Sequence, residues 1–236
     1  MNESQLKYQE FSLRYLPDLS NYVVPIHVGD DQIGSGVLVN WCGRHIIATA
    51  RHCIENQPRA FVPSTRIEQD MQMSTRQIQI LQAKSHETLD VGYLEIEDPR
   101  TGEIDGSQFH LDRVEDGMVH IIGYPESLAF VDWPKKKFSV CGGAFSTSIV
   151  EVADDFMKLD YPEQGWKVEK DEWVPSRFPD TPRGFSGGGC FAVECRTAGA
   201  LQIVEYKLLG IQYSWSKNGR WVKVIPIRHL CELLSQ

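Results

Sequence analysis

The segment of this chain best suited to chemistry is Gly184-Phe185-Ser186-Gly187-Gly188-Gly189, a serine set among glycines. A serine hydroxyl is a weak nucleophile at its own pKa and needs a base within hydrogen-bond reach. Glycines beside it permit positive-φ backbone and close approach of a substrate chain. They also leave backbone N–H groups able to converge on one point, as an oxyanion hole requires. Taken alone, such a stretch also reads as a plain glycine-rich turn. Two further segments offer partners for the serine. In IIATARHC (46–53) an apolar run ends in small residues and presents His52, which reads as a base or as a structural histidine. In LDVGYLEI (89–96) Asp90 opens an apolar strand, a place where aspartate is by default a turn or cap residue.

Together the three segments resemble the chymotrypsin/trypsin-like family, in that family's chain order of histidine, aspartate and serine. ATARHC resembles the family's TAAHC block, LDVGYLEI its DIALL-type strand, and GFSGGG its GDSGGP block. LLGIQYSW (208–215) resembles the strand LxGIVSW, and the resemblance spans roughly residues 20–235. It implies an all-β fold of two six-stranded antiparallel β-barrels packed around a cleft, with a short C-terminal helix. The parts expected are an N-terminal extension (1–20), a first barrel (21–112), a second barrel (113–225) and the helix (226–236). It further implies His52 as general base and acid, Asp90 as the group orienting it, Ser186 as nucleophile, and an oxyanion hole made by Gly184 and Ser186. Asp180, six residues before Ser186, stands where trypsin-like enzymes carry an acidic cup for Arg or Lys. Asp180-Thr181-Pro182 is also a plain turn signal. Ser214 and Trp215, on the strand 212–215, are expected to line the cleft, although the register differs from the family's by one residue.

The chain departs from the family in two places. Phe185 precedes the nucleophile where the secreted enzymes carry an aspartate that pairs with a new N-terminal ammonium; a phenyl ring cannot accept that ion pair, so no such activation step is expected. Bacterial intracellular members resemble this chain there. Cys53 follows the histidine as in the family, but its usual partner is missing, and Cys42 in a hairpin turn is not expected to bridge to it.

The elements that must carry these residues read as short β-rich runs from Tyr22 onward, broken by turn signals such as Cys42-Gly43, Asp105-Gly106 and Asn218-Gly219. After Pro226 the pattern changes: Ile227, Leu230, Cys231 and Leu234 recur on one helical face. From about 162 to 183 no strand pattern is visible; this stretch reads as a long functional loop and as the candidate contact for a regulatory partner.

Composition narrows the function further. Net charge is −8, against the basic face that nucleic-acid binding needs, and the Lys135–Lys137 run reads as a solvated turn. No apolar stretch reaches the ~20 residues of a membrane span, and no secretory signal follows Met1. A cytoplasmic protein is expected, its six cysteines reduced. No histidine pair has metal-ligand spacing, so neither metal nor cofactor is expected; the partner is a protein or peptide substrate. An α/β-hydrolase esterase would place its acid and histidine after the serine, opposite to the order here. The competing class is a catalytically silent two-barrel module that binds a partner protein.

Overall fold

Among the described residues, short apolar runs separated by turns fold into two large, mainly antiparallel sheets, each rolled on itself, and a small separate ribbon. The computed structural model describes residues 19, 21–28, 31–55, 57–63, 75–115, 117–126, 129–132, 137–140, 142–161, 164–169, 172–177, 182–198, 201–216 and 218–236. The first sheet holds β1 (Val23–Val28), β2 (Asp31–Trp41), β3 (Arg44–Thr49), β4 (Arg59–Pro63), β5 (Thr75–Ile78), β6 (Ile80–Ser85) and β7 (Gly92–Ile96). A two-residue strand, β8 (Ile104–Asp105), lies parallel to β2. The strand order is β5-β4-β1-β2-β3-β7-β6, so β5 and β6 sit at opposite ends of the sheet although only Gln79 separates them in sequence. The run RQIQILQA is thus one bent strand that serves both edges, and six strands come close to a full ring. Between β2 and β3, Trp41 pairs with Arg44 across a two-residue turn. Cys42 (φ 52°) and Gly43 (φ 83°) are both left-handed there, as a type I′ hairpin demands.

The second half contains β9 (Met118–Gly123), a separate ribbon of β10 (Ala129–Asp132) with β11 (Lys137–Val140), then β12 (Gly143–Val152) and β13 (Met157–Asp160). There follow β14 (Gln164–Glu169), β15 (Glu172–Arg177), β16 (Gly189–Ala198), β17 (Leu201–Ser216) and β18 (Trp221–Pro226). The pairings β9-β12-β13-β18-β17-β16 return to β9 and close a six-stranded ring. The hairpin β14–β15 extends from β12 outside that ring. This corrects the expectation of a strandless loop over 162–183. Pro175 and the mixed charges hide the strand pattern, yet Pro175 sits in β15, the last strand in its order, and an edge strand tolerates proline.

The chain ends in α1 (Ile227–Leu234), which buries Ile227, Leu230, Leu233 and Leu234. Cys231, expected on that face, is only half-buried, and Leu233 takes the fourth buried place.

Alternation along the strands divides the apolar residues between three cores. Leu38 and Ile47 point into the first barrel with Val24, Ile26 and Leu94. Phe145, Leu159 and Leu209 fill the second. Val37, Val39, Ile46 and Ala48, the opposite faces of β2 and β3, join Ile122, Phe191, Ile211 and α1 in a third cluster between the barrels. That shared cluster is the largest of the three.

Candidate active site

Beyond β3 the chain makes a single 3₁₀ turn, Arg51–Cys53, closed by Cys53 N–H to Ala50 O at 3.0 Å and Ile54 N–H to Arg51 O at 3.0 Å. Cys53 is fully buried in the first barrel's core, which leaves His52 facing outward. Asp90 lies on the loop leading into β7 and grips His52 twice. Its Oδ2 is 2.7 Å from His52 Nδ1, and its Oδ1 accepts the His52 backbone N–H at 3.0 Å. With Nδ1 occupied by the carboxylate, Nε2 is the ring atom left to exchange a proton with a substrate or nucleophile. The Asp90 hydrogen bond, then the neighbouring Cys53, raise the His52 pKa above the usual imidazole range against the effect of burial. Burial pushes Asp90 upward, but the hydrogen bonds from the His52 ring and backbone outweigh it and hold the carboxyl below its usual range.

Backbone bonds shape the Ser186 segment. Phe185 N–H donates to Pro182 O at 3.1 Å, and Gly184 takes φ +89° at the third position of that turn, where a type II geometry needs glycine. The Phe185 ring is buried in the second barrel, edge-on to Phe145 at 5.8 Å. Gly188 N–H returns to Phe185 O at 2.7 Å, Gly187 N–H donates to Gln212 O at 2.7 Å, and Gln212 N–H donates to Gly188 O at 2.9 Å. So the N–H groups of Phe185, Gly187 and Gly188 have acceptors, whereas among the described residues those of Gly184 and Ser186 have no backbone acceptor.

A residue that the sequence does not advertise joins this loop to the first barrel. Ser35, on β2 and fully buried, donates its N–H to Ser186 O at 2.7 Å and its hydroxyl to Gly184 O at 2.6 Å. The same hydroxyl accepts Tyr124 N–H at 2.8 Å, and Thr49 Oγ1 donates to Ser35 O at 2.7 Å. Gly187 (φ +88°) lies so close that a Cβ there would meet Ser35 O at 1.9 Å and Thr49 Oγ1 at 2.2 Å. The Cys53 thiol also reaches Ser186 O, at 3.6 Å, so the serine's backbone rests on the residue next to His52. Among the described residues the Ser186 hydroxyl makes no hydrogen bond to the His52 ring, and in unliganded sites such bonds are often long or absent.

The strand beside this loop carries one residue more than its sequence pattern suggests. Gln212 pairs with Val224 and Ser214 with Lys223, so Tyr213 is the extra residue of a β-bulge. Burial first, and then the charges of Asp90 and Asp155, raise the Tyr213 phenol's pKa, which places it in Asp90's electrostatic neighbourhood. The one-residue offset in LLGIQYSW is the only signal that could have exposed it. Ser214 and Trp215 are half-buried beyond the bulge, and Trp215 packs on the second barrel's core. Asp180 lies outside the described residues. His120 is buried against Ser146 Oγ at 2.8 Å and is pushed down to about 4 by burial, a neutral core histidine. His45 pairs with Glu103 at 2.8 Å. Among the described residues no three His, Cys, Asp or Glu side chains are placed to hold a metal ion, and no helix is long and apolar enough to cross a membrane.

No protein-family model matches the chain, and no curated protein matches it by sequence. Solved structures do match its shape. Neuropsin, a serine protease of mouse brain, superposes with a TM-score of 0.58 at 15% identity, covering 93% of this chain and 95% of that one. Human heparin binding protein gives 0.57 at 12% identity, with 92% of each chain covered. Rv3671c of M. tuberculosis gives 0.53 at 13% identity over 94% of this chain and 89% of that one. With its nearly closed first barrel, closed second barrel and C-terminal helix, the chain has the two-barrel fold of the chymotrypsin/trypsin-like serine proteases.

Proposed function

We propose that this protein is a serine endopeptidase that cuts protein or peptide chains through a Ser186–His52–Asp90 triad. The observation that carries this reading is Asp90's double grip on His52, with 2.7 Å to Nδ1 and 3.0 Å to the backbone N–H. That grip sets the tautomer whose Nε2 can accept a proton. Ser186 Oγ attacks the scissile carbonyl carbon while its proton passes to His52 Nε2. The carbonyl oxygen becomes an oxyanion received by the N–H groups of Gly184 and Ser186. The tetrahedral species then expels the amine, which takes the proton back from His52 and leaves an acyl-enzyme. Water, deprotonated by the same nitrogen, releases the acid and restores the serine. Asp90 stays ionised throughout, in keeping with its lowered pKa.

Ser214 and Trp215 lie on the strand assigned to the substrate cleft, and Asp180, outside the described residues, is assigned a preference for Arg or Lys before the cut through charge-assisted hydrogen bonds. Cleavage of a mixed peptide library without any Arg or Lys preference would remove Asp180 from the site. Phe185, buried in the second barrel where the secreted enzymes place an ion-pairing aspartate, supports an enzyme that needs no N-terminal activation. Regulation is assigned to the 162–183 segment with its β14–β15 hairpin, and the free thiols of Cys42, Cys53, Cys190 and Cys231 support a cytoplasmic setting.

The test is covalent labelling by a fluorophosphonate. Wild type should label, and Ser186→Ala should lose both label and peptidase activity, by roughly 10⁶-fold in kcat. A wild-type protein that never labels would instead support the silent binding module. On that side stand the lack, among the described residues, of a hydrogen bond from the Ser186 hydroxyl to the His52 ring, and a neighbour named for heparin binding.

A further inference from the structure

The loop that presents Asp90 is itself held by an unusual set of bonds. His86 N–H donates to Val91 O at 2.9 Å and closes the loop at its base. Inside it, His86 Nδ1 lies 3.2 Å from Thr88 N and 3.1 Å from Leu89 N, accepting both backbone N–H groups, with Thr88 Oγ1 at 3.4 Å. From outside, Arg51 Nη1 donates to His86 O at 3.3 Å and to Glu87 O at 2.8 Å, while its Nε reaches Glu55 at 3.2 Å. Arg51 immediately precedes His52, so one guanidinium straps the loop carrying Asp90 to the turn carrying its partner. The His229 ring of α1 flanks His86 edge-on at 6.5 Å.

We propose that His86 is a positioning residue for Asp90: its unprotonated Nδ1 caps the loop from within and, with the Arg51 strap, fixes the carboxylate against His52. The role belongs to one atom. A ring nitrogen that accepts two backbone N–H groups does what an Asn or Asp side chain does in an Asx turn. Nδ1 is attached to Cγ, the same topological position as the amide oxygen of asparagine, whereas a glutamine oxygen extends to the place of Nε2. Asparagine can therefore replace His86 and glutamine cannot.

This inference deepens the protease reading and rests on it for its catalytic meaning, but its measurement does not need activity. The readout is the NMR titration of the His52 ring, assigned by comparison with His52→Gln, in the full chain. In wild type the ring should titrate above the usual imidazole range. His86→Ala and His86→Gln should lower that midpoint, because Asp90 is no longer held, whereas His86→Asn should keep it near wild type. If the protein labels with fluorophosphonate, the rate should fall on the order of tenfold in His86→Ala and His86→Gln and recover in His86→Asn, a loss smaller than the ~10²-fold of a 1 Å misplacement. Equal midpoints in all four proteins, or an Asn variant as impaired as the Gln variant, would overturn the proposal. Should His86→Ala fail to fold, the Asn and Gln variants decide between them. Failure of wild type to label would count against the protease reading alone, since the titration is read regardless.

Discussion

In the first barrel, His52 and Asp90 meet through side chains, a carboxylate holding a ring and the backbone N–H behind it. In the second barrel, Ser186 sits on a loop whose shape comes from backbone bonds and from glycines at φ +89° and +88°. The two halves therefore tolerate different insults. The histidine side depends on which groups are ionised and which oxygen faces which nitrogen. The serine side depends on the absence of a Cβ at Gly187 and on carbonyls pinned across the cleft by Ser35.

Substitutions can sharpen or break that contrast. The largest effect is expected from Asp90→Asn, which keeps the shape but offers His52 an amide; kcat should drop by about 10⁴-fold, with a smaller loss of stability from the missing ion pair. A fall in stability as large as the fall in rate would erase the distinction between the halves. Gly187→Ala should do the opposite, costing roughly 3 kcal/mol or more of stability through backbone strain and collision with Ser35 O, read by denaturant unfolding. Ser35→Ala comes next. It leaves Gly184 O and Tyr124 N–H without the hydroxyl, at about 1–3 kcal/mol. Its fluorophosphonate labelling should slow while the His52 titration stays put; a shifted titration would show that the halves are not separate.

The smallest effect concerns pH. The proposed reaction needs a neutral His52, and the hydrogen bond to Asp90 raises that ring's pKa. Labelling should therefore rise with pH through a midpoint above about 6.5, the ordinary imidazole value, and Asp90→Asn should bring the midpoint down. The sign for stability follows from the same shifts. The contribution of His52 is complete below about 6.5 and is lost as pH rises through its raised folded value. That of Asp90 is present above about 3.9 and is lost as pH falls through its lowered one.

His52 and Ser186 were legible in the sequence because their neighbours are chemically unusual: small residues before one, glycines around the other. Asp90 was legible only through order and the strand behind it. Ser35 was not, since its value lies in bonds to Gly184 and Tyr124, 149 and 89 residues away. Nothing local distinguishes such a serine from one in any turn. Tyr213 left a trace as a register slip, but a slip reports an extra residue without saying where a strand will absorb it. The β14–β15 hairpin escaped because edge strands obey looser rules of composition, and alternation fades where one side of a strand has no neighbour.

The cluster shared by the barrels is larger than the core of either one. Either half alone would present a wide oily face to water, so each is expected to need the other in order to fold. The candidate residues His52 and Ser186 come from opposite halves. Fragments divided between β8 and β9 should then fail to label with fluorophosphonate apart and recover the proposed activity on mixing, which would make labelling a reporter of assembly.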